Sequence, residues 1–131
     1  MYLKKFETLS SQIDANFGTI SQIRIFFQRK IMLILIPMDS NKRHEALITT
    51  LDQTKSWALV ELDEGEITKV TFFKRREEIN EWIDCVVVEN AQEYVWPFME
   101  ENITVLVAPT QKSIDEIIEA FLFKELHDLN V

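Results

Sequence analysis

The side chains here that could bind a metal or move a proton are few. There are two histidines, His44 and His127, one cysteine, Cys85, and carboxylates scattered along the chain. His44 lies in the polar run MDSNKRHEA beside Lys42 and Arg43. An imidazole there can ligate a metal or pair with an acidic ligand; its plainer role is that of an exposed polar side chain. Asp39 opens the same run, behind the apolar stretch Ile31 to Ile36. A carboxylate in that place can help to hold a metal pair, but such chemistry needs several acids converging on ions close together. The other candidates, Asp63, Glu64 and Glu66, fall in a turn between two strand-like runs, where solvation explains them, so nuclease chemistry is disfavoured. Cys85, in DCVVV, reads as a small core hydrophobe, because no histidine stands near it in sequence to activate the thiol. His127 follows the last helical stretch, where a helix dipole favours its charged form. We find no P-loop, dinucleotide fingerprint or metal-ligand cluster. Two glycines in the whole chain leave little means of building a backbone cradle for phosphate.

Two further groups have binding rather than catalytic chemistry. Lys74, Arg75 and Arg76 form a short basic run, which Glu77, Glu78 and Glu81 are expected to cancel locally. Trp57, Trp82, Trp96 and nine phenylalanines are many for this length. Most should be core, while Trp96, Pro97 and Phe98 are placed to edge a groove for a partner.

Several elements must position these residues. Leu3, Phe6, Leu9, Ile13, Phe17, Ile20, Ile23 and Phe27 recur three and four apart, which predicts an N-terminal amphipathic helix over residues 1–30 despite Gly18. The domain proper is expected over residues 31–131. Its first strand runs from Ile31 to Ile36 and should stop at Pro37. A short helical turn is expected from Ala46 to Leu51. Trp57 to Leu62 and Ile67 to Phe73, split by an Asp/Gly-containing turn, read as a hairpin. A short helix over KRREEINEW leads to the buried strand around CVVV. Asn90 can cap a helix from Ala91 to Glu101 with Tyr94, Val95 and Phe98 inward, shortened or kinked by Pro97. A strand from Ile103 precedes the best-specified element, a helix opened by Ser113 and Glu116 as a capping box. Its apolar stripe is Ile114, Ile117, Ile118, Phe121, Leu122 and Leu126. The fold class that follows is α/β: a five-stranded mixed sheet, antiparallel in its first three strands and then βαβα, with helices on its faces.

Composition bounds the function. At 131 residues the described pattern fits one domain, and a net charge of −8 argues against a general nucleic-acid role. The charge is uneven. Residues 1–31 carry five basic and two acidic groups, whereas the remainder carries nine basic and twenty acidic. No apolar run approaches the roughly 20 residues that span a bilayer, so no membrane partner is expected. A lone thiol fits a reducing cytoplasm.

The combination of MLILIPMD, ALVELDEGEITKV, IDCVVVENA, ITVLVAP and SIDEIIEAFLFKEL resembles the dinitrogenase iron–molybdenum cofactor biosynthesis family, over about residues 31–126. The resemblance implies a ribonuclease-H-like sheet without nuclease activity, and the role of a carrier or accessory protein for an iron–molybdenum or iron–sulfur cluster. Cluster-binding members carry a His-Phe-Gly-like motif before the second strand; Thr50, Leu51 and Asp52 stand there in this chain. The family's Gly-rich turn after the later strand is replaced by Glu89, Asn90 and Ala91. His44 and Asp39 are then the candidate cofactor-binding residues, read from their own positions and not carried over from the family. The expectation is a cytoplasmic non-enzyme that handles a metal cofactor as an accessory protein and works with a protein partner. The alternative is a regulatory or interaction module on the same scaffold without a cluster. A homodimer through the N-terminal helix is a further expectation.

Overall fold

A computed structural model of the chain describes residues 31–129. The helix expected over residues 1–30, and any dimer built through it, lie outside those residues. Six strands form a single mixed sheet in the order β3-β2-β1-β4-β5-β6. β1 (Ile31–Met38), β2 (Ser56–Asp63) and β3 (Glu66–Phe73) are an antiparallel meander. β4 (Cys85–Val88) runs parallel to β1, and β5 (Thr104–Val107) parallel to β4. The sheet thus has six strands, not the expected five: β6 (His127–Asp128) adds an antiparallel edge to β5. Two helices accompany it, α1 (Trp96–Glu100) and α2 (Ile114–Leu122).

Alternation along the strands builds two apolar layers. Ile34, Ile36, Val60, Cys85 and Val87 pack with Ile114, Ile117 and Ile118 of α2 on one face. Leu35, Leu59, Val86, Val88 and Val105 pack with Phe98 of α1 on the other. β4 is buried at all four positions, as a continuous apolar run between covered faces should be.

The local departures have physical causes. β1 does not stop at Pro37 but continues to Met38. The Pro37 carbonyl accepts from Thr49 N–H at 3.0 Å, so its polar edge faces away from β2 and the missing N–H removes no bond of that ladder. Instead of a helical turn at residues 46–51, Leu47 bridges to Ser113 and Ile48 to Met38, and a single 3₁₀ turn follows at Leu51–Gln53. The helix expected over KRREEINEW is likewise one 3₁₀ turn, Arg76–Glu78. α1 begins only at Trp96, because Pro97 suits a first helical turn and no other. Tyr94, expected inward, is therefore 73% exposed ahead of the helix.

The α2 capping box forms as expected: Ser113 Oγ accepts from Glu116 N–H at 3.2 Å, and Glu116 Oε1 accepts from Ser113 N–H at 3.1 Å. The helix ends early, at Leu122, leaving Leu122 and Phe123 exposed. Lys124 takes the left-handed φ of +60°, Lys124 N–H reaches Phe121 carbonyl at 3.1 Å, and Glu125 N–H reaches Ala120 carbonyl at 2.8 Å. This is a Schellman stop with lysine where glycine is usual. It turns the chain back along the sheet, so His127 sits in β6 and not at a helix terminus. The β2–β3 hairpin turns on Glu64 and Gly65, both at positive φ, +54° and +82°, as the tightest right-twisted connection requires.

Candidate functional site

In an open sheet with parallel strands, ligands are bound outside the carboxyl ends of those strands, where the connections diverge. Here that place lies beyond β1 and β4, whose following segments run in opposite directions across the sheet. The loop after β1 supplies Asp39, Arg43 and His44; the loop after β4 supplies Glu89, Asn90 and Glu93; the turn before α2 supplies Lys112 and Ser113. These groups are spent on one another. Asp39 Oδ1 accepts from Leu47 N–H at 2.9 Å, and Asp39 N–H returns a bond to Leu47 carbonyl at 2.9 Å, so this carboxylate closes its own loop. The Arg43 guanidinium grips Asp115 with both nitrogens, at 2.9 and 3.3 Å, and His44 Nδ1 stands 3.8 Å from the same carboxylate. The Arg43 bond, with lesser help from the Arg43 and His44 charges, holds the Asp115 carboxyl below its usual range. Lys112 Nζ donates to Glu89 at 3.2 Å, and Ile48 N–H to Lys112 carbonyl at 2.8 Å. Glu93 accepts from Leu51 N–H at 3.0 Å, and burial raises its carboxyl above the ordinary value.

The two candidate residues thus share a loop but not a site. Asp39 serves the Leu47 amide, while His44 stands exposed beside Asp115. Cys85 is 2% exposed in the layer under α2, and burial, with a smaller contribution from Asp84, pushes its thiol up to about 12. Iron–sulfur and iron–molybdenum clusters want thiolate or imidazole donors converging on an open cavity. The whole sequence holds one cysteine and two histidines. Among the described residues no group of three or more His, Cys, Asp or Glu is placed to share a metal ion. The residues present do not fit a cluster held by this chain alone.

A second region was only partly legible in the sequence. Arg76, expected to be neutralised in a solvated run, reaches across α1. Its guanidinium carbon lies 4.6 Å from the centre of the Phe98 ring, and Nη2 bonds Glu101 at 2.7 Å. Trp57 packs tilted against Phe98, with ring centres 6.4 Å apart. Together with Pro97, Lys74 and Arg75 these side chains line a shallow groove of about 400 Å³. Of the acids expected to cancel the basic run, Glu77 lines the groove with it, whereas Glu78 turns back to accept from the Arg75 amide at 3.4 Å. Trp96, which the sequence placed at a groove edge, does not line it and is 56% exposed.

No known family profile matches the chain, and no curated protein matches it in sequence. Solved structures do match. A candidate dinitrogenase from Methanocaldococcus jannaschii, solved both by crystallography and by NMR, is 20% identical with a TM-score of 0.61. The crystallographic match covers 75% of this chain and 94% of that one. A candidate NifB protein from Thermotoga is 10% identical with a TM-score of 0.61, covering 76% of this chain and 95% of its own. These likenesses establish a shared fold. Among the described residues, no helix is long and apolar enough to cross a membrane.

Proposed function

We propose that the chain is a non-catalytic accessory protein on a nitrogenase-related, ribonuclease-H-like scaffold, working in the cytoplasm through contact with a protein partner and not by holding a metal cluster itself. One observation supports this reading most directly. The single thiol is sealed in the core, and the exposed imidazole nearest the carboxyl ends of the strands belongs, among the described residues, to no group of three donors placed to share a metal ion. A protein with this scaffold can still serve cofactor assembly if the cluster is held by, or passed between, its partners. The loops beyond β1 and β4 would then act as a shaped, internally braced surface.

Anaerobic reconstitution tests the reading. The full chain, incubated with ferrous iron and sulfide or with iron–molybdenum cofactor and then desalted, is expected to retain no metal and to gain no visible absorbance. His44→Ala should behave identically. Stoichiometric metal that disappears in His44→Ala would reject the proposal and restore a cluster carrier.

A further inference from the structure

We propose that the groove between the Lys74–Arg76 run and α1 is the docking site for a short acidic segment of a partner protein, anchored by an aromatic or aliphatic side chain. This inference rests on the partner-binding reading above and names the partner's chemistry. Three observations carry it.

The first is charge. Lys74, Arg75 and Arg76 line one groove with a single acid, Glu77, in a chain of net charge −8. Lys74 and Arg75 are exposed, and among the described residues neither has an ion-pair partner. Local fields reach roughly 8 Å at physiological salt, so a few carboxylates are attracted here while a long polyanion is repelled by the rest of the surface. That selects an acidic peptide over nucleic acid.

The second is the floor. Leu51, Trp57 and Pro97 offer an apolar surface beside the cations, with Phe98 buried beneath Arg76, the pairing of aromatic anchor and arginine on which interface energy concentrates. The groove is too open to enclose a small molecule, which pockets bury over most of its surface.

The third is preorganisation. Glu101 and the Phe98 ring hold the Arg76 guanidinium in place, while its Nε is buried with no acceptor. A fixed arginine loses little freedom when it meets a carboxylate.

Selection of a displayed random-peptide library on the immobilised full chain, followed by fluorescence anisotropy with the enriched peptides, tests this. The expected sequences are rich in Asp and Glu around a Phe, Trp or Leu. Their affinity should fall at least about tenfold in the Lys74→Glu/Arg75→Glu double variant, and fall again with added salt. Both side chains are exposed, so the variant should keep the wild-type melting curve; Trp57→Ala, which touches the core, is not needed. Enrichment of basic or uncharged peptides, no enrichment, or affinities untouched by the double reversal would overturn the proposal. A concentration-dependent dimer abolished by the same reversal would assign the groove to a second copy and overturn it equally. The metal assay is independent. Cluster uptake would refute the accessory reading, whereas loss of peptide selection without metal uptake would refute only the groove.

Discussion

Cys85 is the one side chain whose state decides whether this chain has a thiolate to offer a metal. It opens β4 at 2% exposure, and burial, then the Asp84 charge, moves its thiol from an ordinary 9.0 to about 12. Below pH 9 the native thiolate population is reduced roughly a thousandfold. Alkylation by iodoacetamide needs both thiolate and access, so the native chain should react at least about a thousandfold more slowly than the urea-unfolded chain. The same shift predicts a stability effect. The folded value lies above the unfolded one, so the contribution of the protonated thiol is complete below pH 9 and drains away as pH rises toward 12. Between pH 8 and pH 10 the loss is on the order of 1 kcal/mol. Lysines and tyrosines titrate in this range too, so the quantity to measure is a difference: urea unfolding at both pH values for wild type and Cys85→Ala. Wild type should lose on the order of 1 kcal/mol more than the variant over the interval. Equal pH slopes, or native alkylation as fast as unfolded, would refute the burial argument. Iron that protects Cys85 from alkylation would reopen direct cluster binding.

Two other substitutions test the elements that frame the site. Ser113→Ala removes the oxygen that accepts from Glu116 N–H, and should cost about 1 kcal/mol and lower Tm by several degrees, with Ser113→Thr largely sparing both; a threonine loss as large as the alanine loss would contradict the cap. The amides of Ser113 and Lys112 hold the Glu116 carboxyl below its ordinary value of 4.5. Its contribution is therefore present above that pH and lost as pH falls through the depressed value, and Glu116→Gln should flatten this part of the acid-unfolding curve. Lys124→Gly relieves a left-handed lysine at the end of α2 and should stabilise by about 1 kcal/mol in urea unfolding; a neutral or destabilising result would show that the Lys124 side chain compensates its backbone.

Much of the scaffold could be read from single residues. Alternation and apolar runs located all five main strands. Ser113 and Glu116 marked the start of α2 because a capping box depends on residues three apart. Helix ends were harder. Lys124 adopts the conformation sequence readers expect of glycine, so α2 stops before Leu126 and the chain is released into β6. Tyr94 and Trp82 sit in apolar patterns yet are exposed, at 73% and 78%, because the segments around them are turns and not helices. The candidate site was legible only as residue types. Asp39 and His44 were correctly placed in one loop, but their partners, Leu47 and Asp115, stand eight and seventy-one positions away.

What the sequence determined by itself was whatever depends on near neighbours: strand periodicity, the hairpin turn at Gly65, the helix cap, and the scarcity of soft metal donors. Tertiary structure decided which charges meet. Arg76 follows two other cations and precedes two acids, and by sequence alone it belongs to a neutralised run. Folding carries it onto Phe98 and Glu101, twenty-two and twenty-five residues away, and leaves Lys74 and Arg75 facing an apolar groove. Coulomb and cation–π energies depend on distance in space, and distance in space is set by the fold that brings the turn after β3 against α1.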